Sequence, residues 1–405
     1  MGKPIAATVV RDDSSEQFFA NPDDALAQGE LGRIEFHFAY GPELLPSANE
    51  PVTSMWRYRD LLPLDEGPIH YPLSVGGTPL LAASGLRHLL DVPNLWLKDE
   101  TRTPTGSNKD RATALAVETA LRSGSTTVTC ASTGNVAVSL AVGAASAGLR
   151  AVIFVPAEVA DSKLTLMLLA GATVFRVQEG YDAAFKLSRA AATTFGWYDR
   201  NTGYNPLTLD AKKTVALEIW EQLGREVPET VVCPVGDGPT LSAIAKGFAE
   251  LMACGATTRV PRIIAVQAEG CQPLKRAWDS RTLVQAVEPD TIADGIAVGD
   301  PVSAGMVLRD VRRSSGTFVA VSDDDLRQSM ETLASKGGVL AEPAGAAAFA
   351  GMTQARERGL FTRDERIVVL VTGTAMKNLG FARPTARATT ISANLDEVRH
   401  AMRIS

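Results

Sequence analysis

Short apolar runs alternate with longer helical patterns along most of this 405-residue chain. Residues 136–147 form a small-residue helical pattern, and the apolar run at residues 151–155 follows it. Runs that are apolar throughout are typical of strands buried on both faces. Strands that alternate with helices of this length form parallel sheets covered by helices. The sequence therefore predicts an α/β fold, and its length favours two domains.

Composition and charge exclude several classes of function. With 46 acidic and 40 basic side chains, a net charge of −6 and no basic tract, the chain is a poor partner for nucleic acid. No apolar run approaches the roughly 18–20 residues that span a bilayer. The N-terminus lacks a signal-peptide pattern, and the cysteines and histidines form no cluster, so we expect a cytoplasmic protein without disulfides or a metal site.

One lysine stands at the start of a helical pattern. The octapeptide PTGSNKDR at residues 104–111 places Lys109 directly after a Gly-containing turn. The positive end of a helix dipole and a dry pocket both disfavour the ammonium form, which frees an amine for Schiff-base chemistry. Taken alone, the motif fits a surface lysine in a charge cluster better. Further motifs in the chain favour the lysine that forms a Schiff base over the surface lysine.

A Gly-rich turn lies between a strand pattern at residues 230–234 and a helical pattern from residue 241. Free backbone N–H groups at such a helix start bind phosphate. A Gly-x-Gly turn also fits a dinucleotide site. However, the full GxGxxG motif is absent, and the lysine motif has no role in a dinucleotide site. The sequence therefore favours a phosphate site formed by Gly236, Asp237, Gly238, Pro239 and Thr240.

The octapeptide resembles the PTGSFKDR segment of threonine synthases, which are pyridoxal-phosphate enzymes built like the tryptophan synthase β subunit. Four further segments match in family order: STGN at 132–135, VGDGPT at 235–240, EPAGAA at 342–347 and VTGT at 371–374. The resemblance covers most of the chain, from about residue 55 to about residue 377. It implies pyridoxal 5'-phosphate as the cofactor, bound between two domains with open, mainly parallel sheets flanked by helices. It further implies a small amino-acid substrate and a homodimer.

The resemblance also implies a division into domains. A small α/β domain is inserted into a larger cofactor-binding domain. The first residues are expected to be partly irregular, with one short strand near residues 32–36, and the last ones to form a tail with a short helix. The expected parts are the extension 1–54, the large domain 55–111 with 223–385, the small domain 112–222 and the tail 386–405.

Roles for single residues follow from the resemblance. Lys109 carries the cofactor and abstracts the α proton of the substrate. Asn135 binds the 3′ oxygen of the cofactor, and Thr372 meets the pyridine nitrogen, with Thr374 as its competitor. Glu342 either packs near the ring or caps the following helix. The phosphate is assigned to Gly236, Asp237, Gly238, Pro239 and Thr240, with the Asp237 carboxylate turned away or capping the helix.

The substrate carboxylate is assigned to the turn before residue 136, because backbone amides at a helix start bind anions. This turn comprises Ser132, Thr133 and Gly134.

Two departures from the family pattern concern the substrate. Asn108 replaces the usual phenylalanine, and Thr208 replaces an arginine two residues after an Asn-Pro pair. Losing a guanidinium removes the main partner of a substrate phosphate. Lys212 and Lys163 are alternative cations, and we expect Asn108, Thr208 and Lys212 near the substrate.

The sequence thus predicts a pyridoxal-phosphate-dependent carbon–oxygen lyase resembling threonine synthase. It would eliminate a β or γ leaving group, with or without addition of water or another nucleophile, and O-phosphohomoserine is the leading substrate. A threonine/serine dehydratase and a β-replacement enzyme of the cysteate synthase type are the enzymatic alternatives. A non-catalytic amino-acid-binding homologue is the alternative from another class, and the intact Lys109, Asn135 and Thr372 argue against it.

Overall fold

The computed structural model describes residues 3–29, 31–382, 384–385 and 388–402. Residues 1, 2 and 30 of the predicted extension, residue 383 of the predicted large domain, and residues 386, 387 and 403–405 of the predicted tail lie outside this part. The strands are β1 (Ala6–Val10), β2 (Glu16–Phe19), β3 (Ile34–His37), β4 (Leu80–Leu81), β5 (Leu95–Asp99), β6 (Thr127–Ala131), β7 (Arg150–Pro156), β8 (Thr173–Val177), β9 (Tyr198–Asp199), β10 (Thr230–Pro234), β11 (Arg262–Ala268), β12 (Thr317–Val321) and β13 (Ile367–Val371). The α-helices are α1 (Pro22–Leu26), α2 (Ser84–Leu90), α3 (Lys109–Arg122), α4 (Asn135–Ser146), α5 (Asp161–Leu169), α6 (Tyr181–Phe195), α7 (Leu207–Gln222), α8 (Pro239–Ala253), α9 (Pro273–Ser280), α10 (Ala304–Arg313), α11 (Asp323–Thr332), α12 (Pro343–Glu357) and α13 (Leu395–Met402).

Six strands form the larger sheet, in the order β12-β11-β10-β13-β5-β4. All neighbours are parallel except the short β4, which pairs antiparallel with β5. Alternate residues of one strand enter different cores: Val368 packs in the core that contains α8 and α10, whereas Val369 packs in the core that contains α12. Helices therefore cover both faces, which explains why these strands are apolar throughout.

The smaller sheet has the order β8-β7-β6-β9 and is parallel throughout. Ile153 on β7 faces the core shared with α3 and α4, whereas Phe154 faces the core shared with α6. The prediction of two mainly parallel sheets flanked by helices is confirmed.

The N-terminal extension is more regular than expected. It contains a three-stranded antiparallel sheet with the order β2-β1-β3, and β1 is buried at every position. Glu35 on β3 accepts hydrogen bonds of 2.7 and 2.5 Å from the Arg309 guanidinium on α10. Because such contacts join residues far apart in sequence, local composition did not indicate this sheet.

Helix α7 was not predicted, since its sequence mixes charged and apolar residues without a clear period. Its residues from Thr208 to Trp220 are buried. Val215 and Leu217 pack in the same core as Leu241 and Ile244 of α8, and α7 also contacts α3. The helix thus lies at the junction of the two sheets, and the predicted domain boundary at residue 222 stays a prediction.

Candidate active site

Three neighbouring parallel strands direct the chain to one edge of the larger sheet. The strands β10, β13 and β5 are adjacent and parallel. After β5 the chain leads to Lys109, after β13 to Thr372, and after β10 to Gly236. Because the carboxyl ends of parallel strands meet at the same edge, three motifs far apart in sequence come together there.

Lys109 is the first residue of α3, and hydrogen bonds fix the turn before it. The Asn108 amide donates to the Thr372 carbonyl at 2.9 Å. The Lys109 Nζ donates to Asn108 Oδ1 at 3.0 Å, and Asn108 Nδ2 donates to Thr240 Oγ1 at 3.3 Å. Burial lowers the pKa of Lys109, and the charges of Arg200 and Lys377 lower it further against the opposing effect of Glu342. The surroundings thus favour a free amine.

The Gly-rich turn begins α8. Gly238 has φ +108°, and a Cβ atom there would lie 2.6 Å from Val307 Cγ2, so this position requires glycine. Asp237 Oδ1 accepts from the Val302 amide at 2.8 Å, and burial raises the pKa of this carboxyl. The carboxylate is thus engaged with the loop before α10, while the first amides of α8 remain available to an anion.

Asn135 is the first residue of α4, which packs against the smaller sheet, and its side chain faces Glu342, the residue before α12. The Asn135 Nδ2 donates to Glu342 Oε1 at 2.6 Å, and Glu342 makes no side-chain cap to its helix. Burial raises the pKa of Glu342. The Asn135 Oδ1 is buried and has no hydrogen-bond partner among the described residues.

These segments enclose a cavity of about 240 Å³. Asn108 is fully buried beside Lys109 and Thr208 is buried within α7, and neither lines the cavity. Thr374 Oγ1 donates to the Leu340 carbonyl and does not line it either, so of the two threonines only Thr372 does. The predicted residues that do line it are Lys109, Ser132, Thr133, Gly134, Asn135, Lys212, Gly236, Asp237, Gly238, Pro239, Thr240, Glu342 and Thr372.

Sequence reasoning missed part of the lining. Tyr181 and Phe185 on α6 contribute an aromatic pair with ring centroids 6.4 Å apart. Their spacing of four residues on a helix is a signal that would have paired them. Asp294 also lines the cavity and forms an ion pair with Lys163 of α5. No sequence motif around Asp294 indicates its place in the cavity, since its ion-pair partner lies 131 residues away.

Comparison with known proteins assigns the chain to a family. A family model described as "Pyridoxal-phosphate dependent enzyme" matches residues 71–373. The chain belongs to this family. It is similar to the threonine synthase of Methanosarcina acetivorans, with 36% identity over 353 residues that cover 86% of each chain. The threonine synthase of Methanocaldococcus jannaschii is 36% identical over 327 residues, or 80% of each chain.

Solved structures of two other proteins share the fold. The processed form of threonine deaminase isoform 2 from Solanum lycopersicum has a TM-score of 0.62 at 23% identity, covering 74% of this chain and 84% of that chain. Diaminopropionate ammonia lyase from Escherichia coli has a TM-score of 0.64 at 21% identity, covering 75% and 85%. The predicted cofactor and the predicted likeness to threonine synthases are confirmed, and the enzyme is a pyridoxal-phosphate-dependent lyase.

The cavity of this pyridoxal-phosphate enzyme fits the cofactor. It presents an amine of lowered pKa, an N-terminus of α8 without a side-chain cap, and the buried Asn135 amide, whose Nδ2 carries a second hydrogen besides the one it donates to Glu342. Within the described residues, no group of His, Cys, Asp and Glu side chains could hold a metal ion, and no helix is long and apolar enough to cross a membrane. The four cysteines are buried and unpaired.

Proposed function

We propose that this enzyme is a carbon–oxygen lyase of the threonine synthase type, with O-phosphohomoserine as its leading substrate. The observation that supports this most is the shared cavity of Lys109, Asn135 and the Gly236 turn. The named relatives are threonine synthases over most of the chain. Bound pyridoxal phosphate supplies an electron sink that makes the α proton of an amino acid acidic.

We assign the proton transfers to Lys109. Its amine has a lowered pKa, so Lys109 would hold the cofactor at its aldehyde carbon and would serve as the base that accepts the α proton. Thr372 at the end of β13 would meet the ring nitrogen with a hydroxyl, and Asn135 would bind the 3′ oxygen. Both side chains line the cavity and are buried, which keeps water away from these contacts.

The substrate carboxylate would be held by the turn that begins α4. Ser132 Oγ accepts from the Gly134 amide at 3.1 Å, which fixes the turn. The first amides of α4 carry the positive end of its dipole, and an anion is stabilised there.

A phosphate on the substrate would meet Lys163 and not Thr208. A Cβ atom added to Gly134 would lie 3.8 Å from Lys163 Nζ, so this ammonium approaches the carboxylate turn. Lys163 does not itself line the cavity, but it is paired with Asp294, which does. Thr208 is buried in α7 outside the cavity, which is why its difference from the family arginine does not by itself exclude a phosphate ester. A dehydratase or β-replacement reaction on an uncharged side chain is the second candidate, favoured because no arginine is among the described residues that line the cavity.

The homodimer is likewise a proposal. Leu340, Met376 and Leu379 expose 51%, 74% and 62% of their surface. The Leu340 carbonyl accepts from the Ala375 amide at 2.9 Å, which places Leu340 beside the segment of the other two. Exposed apolar patches mark contact surfaces. Light scattering of the purified enzyme would measure its mass, and the double variant Met376→Glu/Leu379→Glu should shift a dimer toward the monomer.

A substrate screen tests the proposed reaction. O-Phosphohomoserine, O-phosphoserine, threonine and serine would each be incubated with the holoenzyme while phosphate, threonine and keto acid are measured. We expect phosphate and threonine from O-phosphohomoserine. Keto acid from threonine or serine would instead indicate the dehydratase. Changes in cofactor absorbance without any turnover would indicate the non-catalytic homologue.

A further inference from the structure

Lys212 on α7 is a buried lysine that has no acidic partner among the described residues. Its exposed fraction is 2%, and its Nζ lies 3.2 Å from Thr240 Oγ1. Among the described residues no carboxylate lies within ion-pair distance of this ammonium. The adjacent Lys213, in contrast, is bonded to Asp210 at 2.6 Å and to Glu250 at 2.9 Å. A buried ammonium is costly unless it is paired. An anion bound beside Lys212 would therefore stabilise its charged form.

The ammonium of Lys212 points at the start of α8. Thr240 is the second residue of this 15-residue helix, and Gly238 is its N-cap. Lys212, Gly238 and Thr240 line the same cavity. A helix N-terminus and a buried lysine therefore face one space, and both attract negative charge.

We propose that Lys212 binds the phosphate group of pyridoxal phosphate and takes no part in binding the substrate. The inference rests on the proposed function, in which the Gly236 turn holds that phosphate. Hydrogen bonds link Thr240 to Lys109 as well. Asn108 Nδ2 donates to Thr240 Oγ1, and Asn108 Oδ1 accepts from the Lys109 amine. Lys212 therefore lies on the side of the cavity where Lys109 would hold the cofactor. The carboxylate turn at Gly134 is approached by a different cation, Lys163.

The charges around Lys212 give this contact a pH dependence. Burial lowers the pKa of Lys212 well below its usual range, and Lys109 and Arg200 lower it further, against opposing effects of Asp237 and Cys233. A phosphate dianion beside the ammonium reverses the balance and raises this pKa. Cofactor binding is therefore expected to take up a proton on Lys212, and the affinity for pyridoxal phosphate should fall as the pH rises.

The test compares two ligands that differ only in the phosphate. Wild type and Lys212→Met, both freed of cofactor, would be titrated with pyridoxal 5'-phosphate and with pyridoxal, following cofactor absorbance. We expect the variant to bind pyridoxal phosphate at least about 30-fold more weakly, because one partner of a buried charge pair is missing. Its affinity for pyridoxal should stay unchanged. Lys275→Met is the control, since this lysine is paired with Asp279 on α9 and does not line the cavity, and it should leave both affinities unchanged.

Three further results decide the inference. Unchanged affinity of Lys212→Met for pyridoxal phosphate, or an equal loss for both ligands, would overturn it. Inorganic phosphate should raise the melting temperature of the cofactor-free wild type more than that of Lys212→Met, and equal shifts would also count against it. Borohydride reduction at saturating pyridoxal phosphate should label Lys109 in both proteins. If wild type is not labelled, the proposed function fails, which separates that failure from a failure of the Lys212 contact.

Discussion

The side chains of Asn135 and Glu342 join the two sheets through a 2.6 Å hydrogen bond between Nδ2 and Oε1. Gly373 passes directly beside this bond, since a Cβ atom there would lie 2.3 Å from Glu342 Oε1 and 3.4 Å from Asn135 Nδ2. Two helix starts and the end of β13 therefore meet at one point of the cavity. Any residue larger than glycine at position 373 would separate the sheets or displace Glu342.

The first prediction concerns the residue that carries the cofactor. Borohydride reduction of the holoenzyme followed by peptide mapping should place the pyridoxyl label on Lys109. Lys109→Ala should show no label, although the fold is retained. Because burial lowers the pKa of Lys109, reloading of the cofactor-free enzyme should reach its maximal rate at a lower pH than an ordinary lysine would allow. A label on Lys98, Lys163 or Lys212 would contradict the assignment.

Lys109, the Gly236 turn and Thr372 could be predicted from the sequence because each follows a strand within a short motif. The parallel sheet then brings strand ends together whatever their separation along the chain. Asp294 could not be predicted in this way, because its place depends on an ion pair with a helix of the other sheet. Thr208 is the converse case, and its place near the substrate stays a prediction. A position taken from family alignment was expected beside the substrate, but the turn of α7 buries it outside the cavity.

The second prediction concerns the phosphate turn. Gly238→Asp should lose the cofactor, since the new side chain would collide with Val307 and Ser303 and place a carboxylate beside the phosphate. Gly255 after the end of α8 is the matched control, because it also has positive φ but has open space around it. Gly255→Asp should therefore retain the cofactor. Absorbance after gel filtration measures retention, and full cofactor content in Gly238→Asp would refute the phosphate assignment.

The third prediction separates the candidate cations for a substrate phosphate. Lys163→Met should lower kcat/KM for O-phosphohomoserine by roughly 10- to 100-fold, the usual worth of a hydrogen bond to a charged group. Any turnover of serine should change much less. Thr208→Arg should bring no gain and should destabilise the fold, because Thr208 is 4% exposed. A large gain from Thr208→Arg would show that the family arginine site is intact and that Lys163 was wrongly assigned.

The fourth prediction concerns the buried ion network that holds the start of α3. Arg111, two residues after Lys109, donates to Glu218 at 2.6 Å and to Glu100 at 2.7 Å, and Lys98 donates to Glu218 at 2.6 Å. Glu218→Gln removes the carboxylate to which both Lys98 and Arg111 donate. Breaking a buried pair costs about 3–5 kcal/mol of unfolding free energy, and denaturant unfolding at pH 7 would measure it.

The pH dependence checks the cause of this loss. Burial alone would raise the pKa of Glu218, but Arg111 and Lys98 lower it from 4.5 to about 2. The ionised carboxylate therefore stabilises the fold above pH 4.5, and this contribution is lost as the pH falls toward 2. The difference between wild type and Glu218→Gln should shrink over that window. Glu158→Gln, at an exposed position in the turn after β7, should leave the unfolding free energy nearly unchanged at every pH. If the Glu218→Gln difference stayed constant from pH 7 to pH 3, packing and not charge would account for it.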